Sequence, residues 1–245
     1  MFAKPLRFIN RKLKARQLGI PFHRTTTFVS PAQIKINGAC KSISLPHDHG
    51  TAMAIRDLLL DDCYNLATCS TPIVNVLDIG AHVGIFGLAV RNRYPQTKLH
   101  AYEPNPTLEQ YLKVQAKVGQ FDYFMEAVGL EDGKVVLAIN DNSVWTRSKI
   151  DPTGDIPQIA FRRALARLGG SADLVKLDCE GAEWQILQDH QAWQSVRNLT
   201  MEYHLWPNQT HDEIQAVVRQ LGFSIQKVMP LADEYGLLLA QRKID

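Results

Sequence analysis

The stretch Ile73–Asn105, IVNVLDIGAHVGIFGLAVRNRYPQTKLHAYEPN, restricts this chain to very few folds. An apolar run from Ile73 to Ile79, interrupted by Asn75 and Asp78, suits a strand buried on both faces. Gly80–Gly84 then makes a glycine turn, Ile85–Val90 is apolar and helical in length, and a second strand, Lys98–Tyr102, ends at Glu103. Strand, glycine turn, helix, strand and acid, in that order, make half of a doubly wound nucleotide-binding sheet. Glycines let the backbone approach a ligand with no Cβ in the way. The helix points its positive end at whatever lies above the turn. Glu103, about 20 residues further on, is placed to accept hydrogen bonds from a ribose diol and would repel a 2′-phosphate.

The glycine spacing narrows the nucleotide. A dinucleotide fingerprint needs glycine at 80, 82 and 85, where this chain has Gly80, His82 and Ile85. No GxxxxGK[ST] phosphate loop occurs either. The remaining pattern, D-x-G-A-x-x-G with an acid at the second strand end, resembles the S-adenosylmethionine (SAM) turn of Rossmann-like methyltransferases. The expected cofactor-binding residues are Asp78, Gly80, Ala81, His82 and Gly84 on the turn, and Glu103, Pro104 and Asn105 after the second strand. Glu126 and Ala127, closing a third strand at Asp122–Ala127, are expected to border an adenine.

Composition excludes several classes. A net charge of +2 gives no global argument for a nucleic-acid partner. Cys40, Cys63, Cys69 and Cys179 show no zinc spacing, so free thiols in a cytoplasmic setting are expected, and no metal site. No run of 18 apolar residues predicts a transmembrane helix, and the N-terminus has no apolar signal core. Residues 1–20 instead form a basic, partly amphipathic segment with Leu6, Ile9 and Leu13 on one stripe. It reads either as a helix docked on its own domain or as a peripheral contact with an anionic membrane.

Further along, Asn37-Gly38 predicts a hairpin between Gln33–Asn37 and Lys41–Leu45. His47-Asp48-His49 has no further ligand at a recognisable spacing and reads as a loop. Thr51 is expected to cap a helix running to Leu66. Asn105 and Pro106 should open a helix that Gly119 ends. Val135–Ile139 reads as a strand, residues 140–157 as a long polar binding loop with Ser143, Trp145, Arg147 and Lys149 as substrate candidates, and Ile159–Leu168 as a helix. Strands follow at Asp173–Asp178 and Asn198–His204, then a Thr210/Glu213 capping box, a helix to Leu221 and a closing hairpin with Pro230 in its turn.

With these pieces in place, the chain resembles the FkbM-type SAM-dependent methyltransferases. The resemblance rests on VLDIGAHVG, YEPNP, EAVG, DLVKLDCEGAEWQIL and MEYH, between Ile73 and His204. His82 departs from the asparagine more common there. The resemblance implies an α/β, Rossmann-like seven-stranded methyltransferase fold: a mostly parallel sheet with a C-terminal antiparallel hairpin. It also implies SAM as cofactor and O-methylation, often of sugars, glycans or secondary metabolites. Residues 51–245 would be the methyltransferase domain, and 1–50 a basic segment with a β-hairpin extension.

Methyl transfer to a hydroxyl profits from positioning and from a general base. Asp178, Glu180 and His204 stand at strand ends where the sheet opens, and are the catalytic candidates. If Asp178 and Glu180 lie on an extended strand end they share one side, where they would raise each other's pKa or hold a divalent cation, a role not favoured. Glu183 reads as a helix-dipole partner. The absence of D/N-P-P-Y/F argues against amino methylation of adenine. The alternatives are an RNA methyltransferase using the basic N-terminus and a non-catalytic SAM-binding partner protein.

Overall fold

The computed structural model describes residues 3–69, 72–138 and 147–242. The basic segment forms helix α1 (Ala3–Leu18), which buries Ala15 and Leu18 and ties Arg7 and Arg11 to Asp61 at 2.6 and 2.7 Å. Burial alone would raise the Asp61 pKa, but the two guanidiniums outweigh it and hold it down. The predicted hairpin is present as β1 (Gln33–Ile36) and β2 (Ala39–Ser42). Ile34 and Ile36 point into the same hydrophobic cluster as Val76 and Ile85, so the N-terminal extension is packed onto the sheet layer.

Helix α2 (His49–Ala54) opens three residues earlier than expected. Asp48, not Thr51, is its cap, accepting the Thr51 N–H at 2.7 Å. His47 is held by Phe28, stacked at 5.4 Å, and by the Ser30 N–H. The helix widens into a π-helical turn (Ile55–Leu60) and stops well before Leu66, because the Asp62 carboxylate accepts the Leu66 and Ala67 N–H groups and recaptures the backbone.

The core unit follows as β3 (Asn75–Ile79), α3 (Ile85–Arg93), β4 (Lys98–Tyr102), α4 (Glu109–Gly119) and β5 (Asp122–Phe124). On β3, Val76 packs into one hydrophobic cluster and Leu77 into the other, so both faces of the strand are buried. Asn105 caps the turn that leads into α4, accepting the Thr107 N–H. Gln120, at φ +52°, closes α4 in place of Gly119. Gly119 is required for another reason: a Cβ there would come within 2.7 Å of the Phe121 ring.

The expected third strand is split. After Phe124 the chain leaves the main sheet, and β6 (Ala127–Gly129) belongs to a second, four-stranded sheet with β7 (Gly133–Ala138), β8 (Arg147–Ile150) and β9 (Ile156–Ala160). Within the expected loop 140–157, residues 147–150 and 156–157 are strand, paired antiparallel to β7. Ser143 and Trp145 lie outside the described residues. The expected helix from Ile159 begins at Phe161 as α5 (Phe161–Leu168), because Ile156–Ala160 pairs with β6 and β7 and Asp132 holds the Ala160 N–H.

The chain re-enters the main sheet as β10 (Ala172–Leu177), passes short helices α6 (Glu183–Ile186) and α7 (His190–Trp193), and continues as β11 (Val196–His204), α8 (His211–Gln220), β12 (Phe223–Ala232) and β13 (Tyr235–Arg242). The capping box on α8 forms as predicted. Pro230 sits inside β12 opposite Gly236, not in the turn.

The seven strands are ordered β12-β13-β11-β10-β3-β4-β5, parallel from β11 to β5, with an antiparallel closing pair. This is the Rossmann-like methyltransferase architecture expected from the sequence. Strand order reverses between β3 and β10, and in such sheets the ligand cleft opens beyond the carboxyl ends at that point.

Candidate functional site

Two turns face each other there. The first, Gly80–Gly84, leaves β3; the second, Asp178–Ala182, leaves β10. They approach so closely that a Cβ on Gly80 (φ +80°) would sit 1.7 Å from the Asp178 carbonyl oxygen. Only glycine fits.

Beneath both turns lies Lys176, its side chain 2 % exposed at the centre of the sheet. Its ammonium stands 3.2 Å from Asp78 and 3.6 Å from Asp178, and donates to the Gly80 carbonyl at 2.5 Å. Burial opposes its charge, but the two carboxylates outweigh it and raise its pKa. Tyr64 adds a hydrogen bond to Asp178 at 2.9 Å. Sequence reading passed over Lys176, although a lysine inside the apolar run of DLVKLD was a visible signal.

The cleft between the turns is narrow, with a free volume of about 70 Å³ that grows to about 630 Å³ when the open solvent at its mouth is included. Ile79, Tyr102, Ala127 and Val128 supply its apolar wall; His82, Glu103, Glu126, Asp178 and Glu180 supply polar groups. Gly80 and Pro104 also line it.

Glu103 is 7 % exposed. One of its oxygens accepts the His82 N–H and the other the Asn105 N–H, both at 2.8 Å. A carboxylate has about four acceptor sites, so each oxygen keeps capacity toward a diol. Burial pushes its pKa up to about 7, against those two hydrogen bonds. His82 adopts φ +51°, a left-handed conformation in which Asn, Asp and His are enriched. Histidine here and asparagine in the resembling family thus meet the same backbone demand. Burial lowers the His82 pKa to about 4, so its ring is neutral at physiological pH.

Other expected cofactor residues act from outside the wall. The Asp78 side chain is fully buried toward Lys176. Ala81 is buried, and Gly84 faces Leu112 and Gln115. The Asn105 side chain is spent on its cap. Gln115, on α4, donates to the Val83 and Ser44 carbonyls and pins the glycine turn to the segment after β2. Glu126 reaches the cleft but also pairs with Arg167 at 2.7 Å, beneath the stacked Tyr102 and Phe124 rings.

At the second turn the premise of an extended strand end does not hold. The chain bends after Leu177, with Glu180 at φ +56° and Gly181 at φ +106°. Asp178 and Glu180 nonetheless both face the cleft. Glu183 is fully buried and clamps the turn, accepting the Cys179 and Gly181 N–H groups at 2.9 Å each; it is not merely a dipole partner.

His204 lies against the back of this turn, 3.3 Å from Glu183, 3.5 Å from Glu180 and 3.9 Å from Glu202. Burial lowers its proton affinity, but Glu183, Glu180 and Asp178 prevail and push its pKa up to about 9. It therefore carries a proton at neutral pH and has no lone pair left to accept another. Burial and Asp178 raise the Glu202 pKa. Burial also raises the Cys179 thiol well above its ordinary value, which removes it as a nucleophile. Among the described residues, no group of three or more His, Cys, Asp or Glu side chains is arranged to hold a metal ion.

Methyltransferase sdnD of Sordaria araneosa is 24% identical over 233 residues, covering 77% of this chain and 88% of that protein. Methyltransferase 1 of Beauveria bassiana is 22% identical over 178 residues, covering 60% and 71% respectively. Among solved structures, an O-methyltransferase family protein from Burkholderia thailandensis aligns at a TM-score of 0.46 and 17% identity, over 80% of this chain and 60% of that one. The profile of the methyltransferase FkbM domain matches residues 78–225, from the Asp78 that faces Lys176 to the first strand of the closing hairpin, and the chain belongs to that family.

Proposed function

We propose that this chain methylates a hydroxyl oxygen of a small polyol, glycan or secondary metabolite, using SAM held in the cleft between the two turns. The observation that carries the reading is Glu103: a buried carboxylate on the cleft wall, held by two backbone N–H groups, with acceptor capacity left for a ribose diol. Ile79, Tyr102, Ala127 and Val128 line the same cleft and offer an apolar wall for an adenine. The residues present thus fit the cofactor. When bound, SAM supplies a sulfonium methyl whose departing sulfur keeps the bonding pair.

The remaining work falls to the second turn. Glu180 is the proposed general base, accepting the hydroxyl proton as oxygen attacks. Its left-handed backbone is a mildly strained conformation of the kind that clusters at functional sites, and Glu183 holds the loop that imposes it. Asp178 is engaged by Tyr64 and Lys176 and is assigned to positioning the acceptor. His204, already protonated, is assigned as the cationic partner that keeps Glu180 ionised and oriented, not as the base. The catalytic domain is taken as residues 51–245, with 1–50 as a docked extension. The four free cysteines suit a reducing cytoplasm.

Glu180→Gln tests the assignment. Turnover with a polyol acceptor panel should fall by a factor of about 10² to 10⁴ while calorimetric SAM affinity stays within about twofold. Full turnover in the variant would reject Glu180 as base. Products methylated only on nitrogen would reject O-methylation, and intact SAM binding with no turnover on any acceptor would favour a non-catalytic binding protein.

A further inference from the structure

Helix α1 has two apolar faces, and its own domain uses one. Ala15 and Leu18 are buried, while Leu6, Ile9 and Leu13 are 65%, 54% and 53% exposed. At 100° per residue, as 3.6 residues per turn requires, Leu6, Ile9 and Leu13 fall within about 60° of one another, and Ala15 lies about 120–180° away from them. Docking the helix therefore turns a continuous apolar stripe outward. A stripe that only had to be solvated would carry polar side chains.

The charges on the helix itself are all positive. Arg7 and Arg11 are paired with Asp61, but Lys12, Lys14 and Arg16 make no ion pair among the described residues. On the flank of α1 a second cleft, with a free volume of about 490 Å³, is lined by Lys14, Lys35 and Arg93 together with Leu58, Leu59 and Leu66. Asp62 is its one acidic lining residue. Cations and leucines lining one cleft, beside an exposed Leu/Ile stripe, match the mixed chemistry of a bilayer surface, with its anionic headgroups and acyl chains.

We propose that α1 and this flanking cleft form a docking face for an anionic lipid surface, with Leu6, Ile9 and Leu13 entering the headgroup boundary and Lys14, Lys35 and Arg93 engaging lipid phosphates. No helix among the described residues is long and apolar enough to cross a membrane, so the contact is peripheral.

The test is co-sedimentation of the full chain with vesicles of phosphatidylcholine alone and of phosphatidylcholine mixed with phosphatidylserine. Binding to the mixed vesicles should exceed binding to the neutral ones and weaken as salt rises. Ile9→Ser/Leu13→Ser should weaken it at least about tenfold without changing the thermal melt, since both positions are exposed. Lys14→Glu/Arg93→Glu should remove the preference for the anionic lipid. Equal partition into both vesicle types, absence of binding, or an unaltered serine variant would overturn the proposal. So would a vesicle-free dimer that the serine variant converts to monomer, since a second copy would then be what covers the stripe.

Discussion

Lowering the pH from about 8 to about 6 should weaken SAM binding roughly tenfold, and one carboxylate is responsible. Glu103 has a pKa near 7 because burial disfavours its charge. Its diol-accepting form is the ionised one, so a ligand that donates two hydroxyls must pull that pKa down, and by linkage its affinity tracks the ionised fraction. At about pH 8 roughly nine-tenths of Glu103 is ionised; at about pH 6, roughly one-tenth. Binding at the lower pH should therefore release close to one proton, visible in calorimetry as an enthalpy that changes with the ionisation heat of the buffer.

The two neighbouring histidines keep their charge state across this window. His82, with a pKa of about 4, stays neutral and His204, at about 9, stays protonated. Glu202 is raised as well but does not line the cleft, and Glu202→Gln serves as the control. Glu103→Gln should flatten the profile and lower affinity at the higher pH by about 10- to 100-fold, the worth of hydrogen bonds to a charged acceptor. A pH-independent affinity in the native protein, or a Gln variant that keeps the slope, would refute the reasoning.

Two more outcomes follow from the buried charges. Lys176→Met strands Asp78 in the sheet interior and should destabilise the fold by about 3–5 kcal/mol in urea titration, with part of the loss restored by adding Asp78→Asn; an unchanged midpoint would remove Lys176 from its structural role. His204 has a folded pKa above its unfolded value of 6.5, so its stabilising contribution is full below that value and is lost as pH rises through about 9. His204→Gln should accordingly be less stable than the native chain at neutral pH, by at most about 3 kcal/mol, with the gap closing in alkaline melts.

The central frame was legible because it is local. Ile73–Glu103 carries its own strand, turn, helix and acid, and every part lies where the spacing put it. The capping box at Thr210 and Glu213 was readable for the same reason. What escaped was decided by partners far away in sequence. Ile156–Ala160 is a strand because β6 and β7 wait beside it, though its neighbours continue into a helix. The helix expected to run to Leu66 stops because an aspartate recaptures two N–H groups that the hydrophobic stripe alone could not account for.

Lys176 shows why the site itself was only half readable. Sequence reading located two motifs, the glycine turn and CEGAE, and assigned each its own chemistry. In the folded chain a single ammonium between β3 and β10 touches both: Asp78 and the Gly80 carbonyl on one side, Asp178 on the other. Removing this charge must disturb the proposed cofactor wall and the proposed acid wall together, because each leans on the same buried cation. A variant at Lys176 mild enough to fold should therefore weaken donor binding and turnover in step, whereas Glu103 and Glu180 variants should separate them. A Lys176 variant with altered turnover and native donor affinity would show that the two turns are held independently.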